Sequence, residues 1–305
     1  MNTLKSSAIR LMVLLVLPSP WLGASHAQTP SSEFSKQEAI YQSKGEQVPA
    51  GYSIDRSLAE YTLGLGAAFA RALAHLGLQD RWLDVGAGQG RAMLDYYAPA
   101  YDAAHPEGQA QRGKKAKAIA ISIEDRRTPA WQQVAASLEA NQMQYFFGRR
   151  LREYSLAELG KFQMLTDVLG GFSYSQNLSR FMENALGFLE VGGSFYTVLQ
   201  DVRSENGANQ PHYPDARFLT EVVNADAVEV KICSWLKSIT CVEVSCELKT
   251  GWRPPIEAYR INKVCDNVTV PALTATHFEA GTPPERRYRL ANPLPASVER
   301  DNTVR

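Results

Sequence analysis

Two periodicities alternate along the middle of this chain. From Ser57 to Leu76 the apolar residues Leu58, Tyr61, Leu65, Phe69 and Leu73 recur at helical spacing. Ser57 with Glu60 fits a capping box at the start, and Gly77 fits the position just past the end. Short apolar runs then follow at Trp82–Val85, Ala118–Ile123, Met143–Phe147 and Phe162–Asp167, and again up to Leu199. These read as strands, and the unbroken run Ala118–Ile123 is what a strand buried on both faces shows. Between them lie helical stretches at Arg91–Tyr97, from Thr128 to about Ala140 with Pro129 in the first turn, and at Phe181–Leu189. Strands alternating with helices imply parallel βαβ crossovers. Ligands bind such sheets at the carboxyl ends of the strands, near the switch in strand order.

The flanks read differently. Lys36–Lys44 is a weak helical stretch, and Pro49–Gly51 is a turn signal ahead of Tyr52. Residues 99–117 form a polar insertion whose basic run, Lys114 to Lys117, is expected to be a solvated loop. Asp215–Val223 reads as a helix. Val228–Ile232, Cys241–Leu248 and Ile256–Val264 alternate as half-exposed strands do. From Asp266 onward polar and charged residues dominate, and residues 281–305 are expected to lack fixed structure.

One junction carries the candidate chemistry. The strand Trp82–Val85 runs into Gly86-Ala87-Gly88-Gln89-Gly90 and then directly into the helix at Arg91. A strand, a glycine turn and a helix N-terminus together present unpaired N–H groups to a ligand, and glycine permits both positive φ and close approach. The dinucleotide fingerprint G-x-G-x-x-G needs a third glycine where this chain has Arg91. The spacing is instead G-x-G-x-G, with Asp84 two residues before the first glycine.

This pattern resembles the first motif of the class I S-adenosylmethionine (SAM)-dependent methyltransferases, D/E-x-G-x-G-x-G. Further ordered segments carry the same resemblance over roughly residues 55–200. Asp167 closes the fourth strand, and the loop Gly170–Tyr174 follows it. Leu189-Glu-Val-Gly192-Gly193 matches the L-x-P-G-G turn, with Val191 in place of proline. The resemblance implies a Rossmann-like doubly wound, mostly parallel sheet with a terminal antiparallel hairpin. It also implies SAM as cofactor, held by Asp84, Gly86, Ala87, Gly88, Gly90, Glu124 and Asp167. Two departures are visible. At the end of the second strand Ser122 stands where the family's ribose-binding acid is usual, and Glu124 lies two residues on, on the same side of the strand. After the third strand, Gly148-Arg149-Arg150 replaces the acid that bonds the adenine amine, which leaves backbone groups or stacking for adenine.

Composition sets the compartment and the partners. The 305 residues include 32 basic and 32 acidic groups, which gives no general attraction for nucleic acid or an anionic membrane. A hydrophobic fraction of 45% is enough for a proper core. Lys5 and Arg10, the apolar run Leu11–Leu17, Pro18, Pro20 and Ser25-His26-Ala27 match a secretory signal with cleavage after residue 27, too short to span a bilayer. The organisation expected is therefore a signal peptide at 1–27, a flexible lead-in at 28–50, a methyltransferase-like domain at 51–265 and a polar tail at 266–305. The protein is expected to be exported, to the periplasm or outside the cell, or to be cytoplasmic if residues 1–27 are not a signal. Cys233, Cys241, Cys246 and Cys265 lack zinc-ligand spacing, and no metal site is expected. Two disulfides in one of three connectivities, or buried thiols, both fit them.

The reaction implied is methyl transfer from SAM, with a small molecule as the expected acceptor because the N/D-P-P-Y tetrapeptide of amino-group methylation is absent after the fourth strand. No nucleic-acid partner is expected. No general base is identified; Tyr174 and His212 are the rim candidates. Two other classes stay in view. One is an exported SAM- or nucleoside-binding module on the same scaffold, since fold does not fix function. The other is an NAD-dependent oxidoreductase, which Arg91 disfavours.

Overall fold

A computed structural model describes residues 55–104, 115–200, 220–249, 256–279 and 284–294. The signal segment, the lead-in, the helix read at 36–44, Tyr52 and His212 lie outside the described residues.

The frame is a seven-stranded sheet. Its first five strands are β1 (Arg81–Val85), β2 (Lys117–Ser122), β3 (Met143–Phe147), β4 (Phe162–Val168) and β5 (Leu189–Leu199). Two more, β7 (Val242–Lys249) and β8 (Ile256–Lys263), complete it in the order β3-β2-β1-β4-β5-β8-β7. The first five strands pair in parallel, and β8 runs antiparallel to both β5 and β7. This is the doubly wound, mostly parallel sheet with a terminal antiparallel hairpin that the sequence predicts. The chain steps outward from β1 to β3 and then returns to place β4 on the other flank of β1. The switch point therefore lies between the carboxyl ends of β1 and β4.

Both faces of the central strands are covered, which is why β2 reads as a continuous apolar run, whereas β7 at the edge alternates between half-buried and exposed positions. On one face, Trp82, Ala118, Met164 and Tyr196 pack under α1 (Leu58–Leu65), α2 (Ala67–His75), α3 (Arg91–Tyr97) and α5 (Pro129–Ser137). On the other, Leu83, Ile119, Leu165 and Phe195 pack under α8 (Leu178–Gly187) and α9 (Ile232–Lys237). The remaining short helices are α4 (Pro99–Ala104), α6 (Leu156–Leu159) and α7 (Gly171–Tyr174). Among the described residues, no helix is long and apolar enough to cross a membrane.

Five expectations are corrected. The single helix over 57–76 is two, because Gly66 sits at φ 85°, ψ 178°, a conformation in practice reserved for glycine. The capping box of Ser57 and Glu60 is present. Thr220–Val223, the described part of the helix read at 215–223, is a strand, β6, with Thr220 and Val222 facing inward. The strand read at 228–232 makes only a bridge from Glu229 to Val223 before α9 begins, since Ile232, Trp235 and Leu236 bury on helical spacing. The polar tail forms β9 (Leu273–Glu279) and β10 (Glu285–Leu290), which join β6 in a second sheet ordered β6-β10-β9. Its charges hide an inward face of Arg286, Tyr288 and Leu290. Within the basic run Lys115 departs from a solvated loop, packing beside Tyr96 and Tyr101 and pairing with Asp102 at 3.1 Å, while Lys117 is exposed and Lys114 lies outside the described residues.

The cysteines form two disulfides, Cys233–Cys246 from α9 to β7 and Cys241–Cys265 across the base of the β7–β8 hairpin. Both staple the antiparallel end of the large sheet. Their sequence separations of 13 and 24 residues correspond to a loss of denatured-chain entropy worth about 3 kcal/mol each. Melting under a reductant is therefore expected to occur at distinctly lower temperature than under air. An unchanged transition after verified reduction would refute that contribution.

Candidate functional site

The site is built on the turn between β1 and α3. Gly86, Gly88 and Gly90 all adopt positive φ, at 75°, 58° and 75°. Two of them also lack space. A Cβ on Gly86 would stand 2.7 Å from the Cα of Gly170, and one on Gly90 would stand 2.6 Å from Nε1 of Trp131. The first contact joins the turn after β1 to the turn after β4, across the switch point. The N–H groups of Gly86 and Ala87 donate to the carbonyl of Ile121 at 2.9 and 3.2 Å, and that of Gly90 to Ala87 at 2.9 Å. Among the described residues the N–H groups of Gly88 and Gln89 meet no acceptor. The donors this turn offers a ligand are therefore those at its apex.

The turn is held from behind. The hydroxyl of Tyr145, on β3, donates to the carbonyl of Gly88 at 2.5 Å, and burial raises its pKa to about 12. Trp131 packs edge-on against that ring, its centroid 5.5 Å away. Thr128 caps the helix that carries Trp131 by accepting from its N–H at 3.1 Å.

Asp84 lies beneath the turn, fully buried, and does not face the crevice. Its carboxylate accepts from the hydroxyl of Tyr61 at 2.9 and 3.1 Å and from that of Thr166 at 2.7 Å. Thr166 in turn accepts from the indole N–H of Trp82 at 2.8 Å. Burial raises the Asp84 pKa to about 7, against the pull of the two hydroxyls. Asp84 thus ties α1 to β1 and β4. Asp167 is similar. Its two oxygens accept from the N–H groups of Gly170 and Phe172, both at 3.0 Å, and burial raises its pKa to about 7. It shapes the turn after β4 and is used up in doing so.

Glu124 follows β2 and is partly exposed. It pairs with Arg126 at 2.8 Å. Beside it the tips of β2 and β3 leave two large apolar side chains in the open, Ile123 at 56% and Phe147 at 46% exposure. Arg149 does not reach the rim as a free cation, because it pairs with Glu158 at 2.9 Å and lies over Tyr154. On the far side of the crevice, Tyr174 closes α7 and is 37% exposed.

The structure therefore gathers the glycine turn, Glu124 and the turn after Asp167 at one end of the sheet. It places the carboxylates of Asp84 and Asp167 one layer below. Tyr61, Thr166, Tyr145 and Trp131 were not distinguishable as site residues in the sequence. Tyr61 and Trp131 lie on apolar helix faces, and only the sheet register brings them beneath the turn.

No family model matches this chain, and no curated protein does. Its fold is similar to several solved structures. The plantazolicin methyltransferase BpumL in complex with SAH is 11% identical, with a TM-score of 0.43, over 76% of this chain and 91% of that one. The N-methyltransferase NodS from Bradyrhizobium japonicum is 12% identical, with a TM-score of 0.40, over 68% and 96%. An rRNA methylase from Streptococcus thermophilus is 12% identical, with a TM-score of 0.36, over 65% and 95%.

Proposed function

We propose that this chain is a SAM-dependent methyltransferase acting on a small molecule. One observation carries the reading: a turn of three left-handed glycines at the switch point, closed to any Cβ at two of them and, among the described residues, with no acceptor for its apex N–H groups. That arrangement suits a polar ligand lying flat across the strand tips. In this reading the apex amides of Gly88 and Gln89 face the donor. Glu124 accepts from its ribose hydroxyls while keeping Arg126. Ile123, exposed at the tip of β2, offers an apolar surface to the adenine, in place of the acid that is missing after β3. When bound, the donor would supply an electrophilic methyl on a sulfonium to an acceptor nucleophile. The residues named orient the pair and exclude water.

The two disulfides and the N-terminal signal pattern support export, because disulfides persist in oxidising compartments. A donor-binding module without turnover is the second reading. It is favoured by Asp84 and Asp167 lying buried with their oxygens engaged by Tyr61, Thr166 and the N–H groups of Gly170 and Phe172, which leaves neither as a base at the rim.

Titration calorimetry of the oxidised protein is expected to show saturable binding of SAM and of S-adenosylhomocysteine and none of NAD. No SAM binding by folded protein would defeat both readings. SAM binding without release of S-adenosylhomocysteine across a panel of small nucleophiles would favour the module.

A further inference from the structure

The second sheet reaches the rim through one buried cation. Arg286, on β10, is 1% exposed. Its Nη1 donates to the carbonyls of Phe172 and Ser175 at 2.8 and 2.9 Å, and its Nε and Nη2 donate to the hydroxyl of Thr220 on β6 at 3.1 and 2.8 Å. The hydroxyl of Tyr288 adds a third bond to this end of the turn, to Ser175 at 2.8 Å. Those carbonyls are the open end of α7. The N–H groups at its other end are the ones that Asp167 accepts.

We infer that Arg286 is a positioning residue for the rim. With Asp167 it grips the single helical turn Gly171–Tyr174 at both poles, so that the second sheet fixes the acceptor side of the site. The inference deepens the methyltransferase reading and rests on it for the words "acceptor side".

The physical grounds are these. One helical turn is not stable alone, and its end groups need outside partners. An anion at the N-terminus and a cation at the C-terminus both oppose the helix dipole favourably. A buried guanidinium bonded to carbonyls and a hydroxyl is a poor way to fill a core, where a methionine would pack a similar volume without desolvation. What the arginine adds is direction: several donors in one plane, bridging β6 to two carbonyls of the turn. Phe172 is meanwhile locked among Phe181, Phe195 and Tyr259, with ring centroids about 6 Å apart. The turn has little freedom left. Its two outward features are Tyr174 and the Gly170 backbone that abuts Gly86.

The test is amide hydrogen exchange on the full oxidised chain without donor, comparing wild type, Arg286→Met and Arg286→Lys. In Arg286→Met, exchange at Gly171–Ser175 is expected to rise about tenfold or more while the amides of β1 and β2 hold their protection. Arg286→Lys is expected to recover part of it, since an ammonium keeps the charge and loses the fork. In an Asp167→Asn background the same arginine replacement is expected to add less. Protection at 171–175 left unchanged, or lost evenly through the whole sheet, would overturn the inference. Should Arg286→Met fail to fold, Thr220→Val removes two of its bonds and is expected to loosen the same segment more weakly; an unmoved segment there overturns it equally. Exchange is read without SAM. Absence of SAM binding in the wild type would therefore sink the methyltransferase reading and leave the grip on α7 standing, whereas normal SAM binding with an unaffected turn would do the reverse.

Discussion

Gly86→Ala is expected to abolish SAM binding and to lower the melting temperature by roughly 5–15 °C. Two terms add. An alanine at φ 75° is strained by about 1–2 kcal/mol. Its methyl must also displace the Gly170 backbone, 2.7 Å away, at a further cost of about 1–3 kcal/mol for overpacking. The displaced segment is the turn after β4, so strain and loss of the donor site arrive together. Gly148→Ala is the control. That glycine has a φ of 84° but nothing within 4 Å of where the added methyl would stand, so it isolates the strain term. Melting and calorimetry on both variants decide the matter. Gly86→Ala no worse than Gly148→Ala would mean that the contact between the two turns is unimportant.

Removing the carboxylate beneath the turn is expected to be as severe. Asp84→Ala leaves the hydroxyls of Tyr61 and Thr166 buried without their acceptor, at about 1–3 kcal/mol for each group, and opens a small void. Destabilisation of roughly 3–5 kcal/mol follows, readable by chemical denaturation. The pH dependence has a definite sign. Burial raises the Asp84 pKa from 3.8 in the unfolded chain to about 7 in the fold. The folded state therefore holds the proton more tightly, and the stability this contributes is complete below pH 3.8 and lost as pH climbs through about 7. Asp167 acts in the same direction, over the same window and for the same leading cause. The wild type is thus expected to lose stability as pH rises across this range, and Asp84→Asn to show a visibly shallower loss. Parallel curves for the two proteins would refute the assignment to Asp84.

The parallel half of the fold was legible because its physics is local. A strand buried on both faces runs apolar throughout, so β2 declares its limits to within a residue, and the apolar clusters of β3 and β4 place those strands as closely. The glycine turn was legible because positive φ and crowding leave few other choices. The second sheet was not. β10 alternates arginines with Tyr288 and Leu290, and one of those arginines points inward, so composition alone reads as a tail. Gly64 and Gly66 look equivalent in sequence, yet the first sits inside α1 and the second ends it. The roles of Asp84 and Arg286 also depended on partners distant in sequence. Thr166 is 82 residues from Asp84 and Arg286 is 114 from Phe172, and no window on the sequence spans such pairs. Likewise the choice among three cysteine pairings follows from how β7 lies beside β8 and α9.

The order β5-β8-β7 has a consequence for synthesis. β5 is shielded on both faces and carries Phe195, Tyr196 and Val198, all nearly inaccessible, yet its second neighbour is β8, which the ribosome makes only after β6, α9 and β7. Until Ile256–Lys263 emerges, the nascent sheet ends in an unpaired seam of backbone donors and acceptors flanked by aromatic rings, the kind of edge that recruits foreign strands. The later third of the chain is, among its other duties, the lid on that seam.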